Sequence, residues 1–325
     1  MIEFFTEKAI SRLFKRSLSR ASRVDIIPPT PAPSRSGLAI CAIMRNEERH
    51  IGDWLRFHAA AGVSDFYLYD NLSTDGTVQE AQNVPAVRTT ILPWKLSTTA
   101  NKPRIIIPQQ IMAYCHAICT FGSAYRWMAF IDIDELLVPR HDQDILQALE
   151  RLNAYSNISL PWVMYGSSGH DTPPEEAAPF AYVERSPRQE GPLLNFKCIV
   201  DPSKVSQVSV HKFQTSDMGA NSFNDTGTVA NYKNRANEEF LSTRNIQLNH
   251  YYTRSRLELE AKMSKGAVSG VDRSKRQDAI RTKVSVIEEN PIADKAAVDF
   301  LNRKGIYSSG DLRRFVRKPS MRDLQ

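Results

Sequence analysis

The feature that most restricts this chain begins at Gly37, where short apolar runs and segments of helical period take turns. The run GLAICAIM (37–44) reads as a buried strand, and residues 47–61 set Ile51, Trp54, Leu55 and His58 on one side of a helix. DFYLYD (65–70) is a second strand, NLSTDGT turns into a helix starting near Asp75, and RTTILPW (88–94) is a third strand. A helix over 106–121 precedes WMAFIDID (127–134), a buried strand with a polar end. This alternation predicts parallel βαβ units and an α/β fold, with a mostly parallel, open, twisted sheet flanked by helices. Ligands of such sheets sit at the carboxyl ends of the strands. After residue 155 the rhythm breaks into short strands (157–164, 180–185, 193–200, 207–213), which predicts a smaller mixed β region. The polar stretch 214–240 has no period and reads as a flexible loop or lid. IQLNHYY (246–252) is a strand, Thr253 or Ser255 caps a helix running to about Lys265, and the remainder is helical and basic.

Charge divides the chain differently. The 325 residues carry a net +6, but residues 1–23 hold +4 and residues 303–325 hold +5, leaving the body between them at −3. A basic groove through the core is thereby excluded, and no basic stripe interleaved with aromatics marks a nucleic-acid partner. Residues 1–23 read as a basic amphipathic helix, with Ile2, Phe5, Ala9, Leu13 and Phe14 recurring among Lys8, Arg12, Lys15, Arg16 and Arg20, a pattern suited to an anionic membrane surface. Residues 24–36 form a stiff Pro-rich linker, 37–270 the folded body and 271–325 a basic helical extension. No apolar run of about twenty residues predicts a membrane span, and no secretory leader is legible at the N-terminus. Four cysteines without a C-x-x-C pair fit a reducing compartment, so the expected location is cytoplasmic, peripheral on the inner face of the cell membrane. Cys115, His116 and Cys119 lie close together on one helix, but their apolar surroundings favour buried free thiols over a metal site.

Chemistry concentrates at three strand ends. Asp132, Asp134 and Glu135 put three carboxylates within four positions after an apolar strand. Such crowding is costly unless a cation neutralises it, and Mn²⁺ or Mg²⁺ takes oxygen ligands that it shares with substrate phosphates. The first strand ends in Arg45-Asn46-Glu47. The second ends in Asp70, an acceptor for a base N–H or ribose hydroxyl, and Ser73 and Asp75 then cap the following helix. Neither cluster has a G-x-G-x-x-G or P-loop pattern, which argues against a dinucleotide or kinase-type cradle.

The ordered series CAIMRNEERHIGDWLRFHAAAGVSDFYLYDNLSTDGT, WMAFIDIDELLVP, LPWVMYGSSGH, KCIVDPSKVSQVSVHKF and LNHYYTRSRLELEAKMSKG resembles nucleotide-sugar glycosyltransferases of the GT-A fold. More narrowly it resembles glycosyltransferase family 92 and related bacterial family 2-like enzymes. The resemblance implies a GT-A, Rossmann-like core in which Asp132 and Asp134 hold the metal that bridges the donor's phosphates. His250 is implied as a further metal ligand, with His211 second to it. Arg45, Asn46, Glu47 and Asp70 match positions that receive base and ribose, Lys197 and Lys262 are phosphate contacts, and Gly166–Gly169 resembles a flexible loop beside the acceptor. The implied reaction is inverting hexosyl transfer, with UDP-galactose favoured, to a glycan or lipid-linked acceptor in surface polysaccharide synthesis. Inversion needs a general base, for which Asp171 and His211 lead Glu190, Asp217 and Asp225. Two other readings use the same residues: a haloacid dehalogenase-like phosphatase with Asp132 as nucleophile, and a non-catalytic module that binds membrane surfaces.

Overall fold

The computed structural model describes residues 19–85, 87–96, 99–101, 104–264 and 273–317. Its first half follows from the apolar runs. β1 (Leu38–Met44), β2 (Asp65–Asp70), β3 (Arg88–Pro93) and β4 (Trp127–Phe130) are parallel, in the order β3-β2-β1-β4. The helices α1 (Glu48–Ala60), α2 (Thr77–Gln82) and α3 (Gln109–Phe121) lie in the three crossovers. Side chains alternate across a strand, so β1 sends Leu38, Ile40, Ala42 and Met44 into a core shared with α1. Ala39 and Cys41 face a second core shared with α3. Phe66 and Leu68 of β2 oppose Tyr67 and Tyr69 in the same way. Both faces of the sheet are covered, which is why these strands read as nearly continuous apolar runs.

The second half corrects the expectation of a mostly parallel sheet. β5 (Glu135–Pro139), β6 (Asn157–Met164), β7 (Phe196–Val200), β8 (Asn221–Phe223), β9 (Val229–Asn231) and β10 (Ile246–His250) complete a ten-stranded mixed sheet. β7 runs antiparallel to both β4 and β6, β9 is antiparallel to β8, and β10 pairs parallel with β6 but antiparallel with β5. Geometry forces this. Parallel neighbours need a crossover of about a dozen residues or more, whereas only residues 131–134 separate β4 from β5. The chain therefore turns away from β4 and finds its partner far downstream.

Other boundaries move as well. The stretch 214–240 is no loose lid, because it supplies β8 and β9 and buries Asn224, Asp225, Arg235 and Phe240. Asn224 organises the turn between them, accepting from the Thr226 and Thr228 amides and donating to the Phe240 carbonyl. Strands of three residues are too short to leave a period in the sequence. Residues 180–185, read as one strand, are split between a turn of helix (Ala178–Ala181) and a two-residue strand (Glu184–Arg185) that pairs with Ile292–Ala293. At the N-terminal side, the amphipathic helix expected for 1–23 falls largely outside the described residues. Its last part is not helical: Ser19–Arg20 form a strand beside Ile105–Ile106, whose open edge offers backbone partners. The linker 24–36 is docked too, with Val24–Asp25 paired to Gln207–Val208 and Arg35 bonded to Asp201 at 2.5 Å.

α4 (Ile145–Glu150) follows β5, and beyond β10 come α5 (Arg256–Ser264), α6 (Arg273–Ile287), α7 (Ala296–Arg303) and α8 (Ser309–Arg314). Ile287, Ala296, Phe300, Leu301, Ile306 and Leu312 join the α1 core, and the Phe300 ring lies 5.5 Å from that of Phe57. Among the described residues no helix is long and apolar enough to cross a membrane.

Candidate active site

The turn after β4 gathers most of the predicted acids, yet it divides them between two environments. Ile131 still bonds back to Cys41 of β1, then the Asp132 amide donates to the Glu135 carboxylate at 2.9 Å and the Glu135 amide to the Asp132 carbonyl. This closes a tight loop that points Asp132 one way and Asp134 the other. Both Asp132 oxygens are engaged, one by Gln110 and one by the Lys197 ammonium, each at 2.8 Å. Lys197 is buried on β7 and also lies 3.8 Å from Glu135. Burial would lower its pKa, but Asp132, Glu135 and Tyr114 outweigh that and raise it well above the ordinary lysine value.

Asp134 faces β10 and α5. Its Oδ2 is 3.3 Å from His250 Nε2 and 3.2 Å from Lys262 Nζ. Burial pushes the Asp134 carboxyl up, but His250, Lys262 and Arg254 together hold it well below the usual carboxylate range. Burial raises Glu135 well above that range, with Lys197 opposing. Glu135 Oε1 accepts from the Trp162 indole at 2.7 Å and stands 4.0 Å from His250 Nδ1. The pairing of β10 with β5 sets His250 directly opposite Glu135, so sheet register itself brings the two together. Burial holds the His250 imidazole neutral by lowering its pKa. With Nε2 donating to Asp134, the buried Nδ1 keeps a lone pair that has no hydrogen-bond partner.

A metal is thus testable against the residues present. Asp134, Glu135 and His250 can each offer one ligand atom, all within 4.8 Å of one another. Two carboxylates and an orphaned imidazole nitrogen are the donor set a Mn²⁺-like ion accepts, so the residues fit. Of the three ligands inferred from sequence, Asp134 and His250 come together here. Asp132 is instead held by Lys197 and Gln110, and Glu135 takes its place in the cluster. Cys115, Cys119 and His116 form no such group among the described residues; His116 bonds the Tyr69 hydroxyl at 2.8 Å.

Asp134 is on the wall of a cleft of about 500 Å³ that also takes in Arg45, Asn46, Glu47, Tyr252, Arg254 and Lys262. Two turns are stitched together at its mouth. Asn46, at φ 55°, accepts from the Thr74 amide at 2.8 Å, while the Asn46 and Glu47 amides donate to Ser73 and Thr77. Asn is among the few residues that adopt this left-handed conformation readily. A Cβ at Gly76 would meet the Glu48 carboxylate, so the exposed Glu48 side chain would have to swing aside. Asp70 accepts from the Ser73 amide at 3.2 Å and so supports the turn, although it does not itself line the cleft. Glu47 is bonded at 3.0 Å to Arg254, which also reaches the Ile133 carbonyl. Next to that pair, His50 lies 2.6 Å from Glu258, and Glu258 accepts as well from Tyr182 and Ser255.

The two candidate bases differ in setting. Asp171 is 77% exposed, lies near Arg256 and, like His211, lines none of the cleft. His211 packs edge-on against Trp162 and donates from Nδ1 to the Phe196 carbonyl at 3.0 Å; burial and then Lys197 push its pKa down to about 4. Of the remaining acids, Asp217 is tied to Ser156 and Lys204, and Asp225 bonds the Asn245 and Ile246 amides. The sequence reading missed Arg254 and the His50–Glu258 pair. Their only local signal is Ser255-x-x-Glu258, a capping box in which each side chain accepts from the other residue's amide.

Fold and site together define an α/β protein with an acid–imidazole cluster at a strand end, opening on a ligand-sized cleft. The sequence model described as "Glycosyltransferase family 92" matches residues 36–284, and the chain belongs to that family. A family 92 protein of Ricinus communis is 28% identical over 200 residues, covering 55% of this chain and 32% of the relative. One of Oryza sativa subsp. japonica is 24% identical over 176 residues (52% and 27%), and one of Arabidopsis thaliana is 23% identical over 214 (60% and 34%). The chain thus spans about a third of the length of these relatives. Solved structures align distantly: a mycobacterial protein at TM-score 0.28 and 15% identity (39% of this chain, 41% of that one), and S. aureus TarS at 0.24 and 14% (45% and 26%). Neither score is high enough to bear on the fold.

Proposed function

We propose that this chain is a metal-dependent, inverting glycosyltransferase of GT-A type, moving a hexose from a nucleotide diphosphate donor, UDP-galactose by family resemblance, to a glycan or lipid-linked acceptor. The observation that carries the reading is the Asp134–Glu135–His250 group within 4.8 Å, with Asp134 on the cleft wall. Bound there, a Mn²⁺ or Mg²⁺ ion supplies Lewis-acid neutralisation of the charge that grows on the diphosphate as the glycosidic bond breaks. The protein's own work is positioning and electrostatics. Arg45, Asn46 and Glu47, with Asp70 supporting the turn, receive base and ribose. The Glu47–Arg254 pair fixes the cleft wall, and Lys262 stands beside Asp134 where the phosphates lie. Lys197 keeps Asp132 and Glu135 compatible by sitting between them. We assign the acceptor's proton to His211 over Asp171, because its neutral ring, pinned through Nδ1, presents a bare Nε2. Attachment to an anionic membrane through the basic ends belongs to the same reading.

The test is donor hydrolysis and transfer across a panel of nucleotide sugars with Mn²⁺. Asp134→Asn and His250→Gln should each lower turnover by about 100-fold or more, the scale on which loss of charge stabilisation in a transition state is felt. Wild-type turnover in Asp134→Asn, or equal rates with and without the ion, would overturn the metal role.

A further inference from the structure

Helix α6 was read from sequence as part of a basic extension, but one of its lysines points inward. Ile280 and Ile287 are buried, and Lys283 and Val284 fall between them at the i+3 and i+4 positions of the same stripe. The far end of the helix is fastened as well, since Glu288 accepts from the Ser167 amide at 2.7 Å. Lys283 is therefore carried toward the site by a docked helix rather than by a solvated arm.

Its ammonium lies 4.9 Å from the Tyr252 ring centre and 5.5 Å from that of Trp162. Those two rings bracket His250, at 5.4 and 4.4 Å between centroids. Lys262, whose Nζ is 4.0 Å from the Tyr252 ring, shares one of them with Lys283. The other cations nearby have acids: Lys197 has Asp132, Lys262 has Asp134 and Arg254 has Glu47. Among the described residues Lys283 has no carboxylate and no hydrogen-bond acceptor, only the two aromatic faces. Burial, then Lys262, push its pKa below the ordinary lysine value. Holding an unpaired, partly desolvated cation against a second cation is costly, and an anion between them removes the cost.

We infer that Lys283 is a donor-binding residue: its ammonium, held over Tyr252 and Trp162, joins Lys262 in gripping the diphosphate of the nucleotide sugar. The inference rests on the proposed transferase reading and adds a residue that reading does not use. Aromatic faces keep the ammonium charged and available without supplying an anion of their own. Two lysines on separate helices then close on the phosphate bearing the departing charge, and α6 becomes part of the active site.

The experiment is calorimetric titration of the full chain, in Mn²⁺, with UDP, GDP and ADP, each against its monophosphate. Wild type is expected to bind one diphosphate more tightly than the matching monophosphate. Lys283→Met keeps the aliphatic stem and should weaken that diphosphate about 10-fold while changing the monophosphate less than about 3-fold. Lys283→Arg should restore the preference. Lys275→Met, which removes the same charge from the exposed side of α6, should bind like wild type. A structural role would move both nucleotides together, and retention of the diphosphate preference in a folded Lys283→Met would overturn the inference with the transferase reading intact. If wild type bound no nucleoside diphosphate, both would fall.

Discussion

A buried histidine away from the cleft adds to the acid sensitivity of this protein. His58 on α1 is fully buried, donates from Nδ1 to the Trp54 carbonyl and accepts at Nε2 from the Leu137 amide of β5. Both ring nitrogens are committed to a neutral tautomer, and burial pushes the pKa down to about 3. The unfolded chain, with an ordinary histidine near 6.5, binds the extra proton first. Stability from this group is therefore complete above pH 6.5 and falls on acidification by up to about 1.4 kcal/mol per pH unit. Urea midpoints followed from pH 7.5 to 4.5 should fall with that sign, and His58→Gln should make the fall shallower by this group's share. Single residues were legible from sequence where chemistry is crowded, as in Asp132-Ile133-Asp134-Glu135. Which carboxylate faces which cation was not legible, because Lys197 and His250 arrive from strands more than 60 residues away. Lys283 left a faint trace, a lysine inside the Ile280–Val284–Ile287 stripe, and the mostly polar sequence of the helix around it hid it.

At the scale of elements, local signals held and distant pairings did not. The strands 37–44, 65–70 and 88–94 and the helix after Glu47 are written in period and length, and each appears within a residue or two of its expected bounds. β5 escaped notice because FIDIDELLVP runs on without a break, and its partner β10 begins 107 residues beyond Pro139. The cap of α5 was legible: Ser255 accepts from the Glu258 amide and Glu258 returns the bond. Ser255→Ala removes half of that box on the helix that carries Lys262. A loss of about 1 kcal/mol in stability is expected, read as a lower urea midpoint at unchanged slope.

For the whole molecule, the basic C-terminal region is part of the body. Phe300 is completely buried and meets Phe57 edge-on across the α1–α7 contact. Phe300→Ala should cost about 3–5 kcal/mol and lower the melting temperature accordingly. A dispensable extension would show no change. The positive charge at this end of the chain is thus partly carried by helices whose other faces are buried, and net charge alone gave no hint of that division.

The register that sets His250 opposite Glu135 has a consequence for how the protein comes to exist. Residues 135 and 250 belong to strands whose pairing closes a loop of more than 100 residues, a late and entropically expensive event in folding. A chain made only as far as its first nine strands cannot hold the acid–imidazole cluster, however well those strands have formed. During synthesis the leading βαβ units can assemble while the cluster stays open, and the ligand set closes only when β10 slots between β5 and β6. On the proposed metal-dependent reading, affinity for a divalent ion would then appear all at once, as a mark of the finished sheet, and the growing chain would be spared a half-built site that traps metal early.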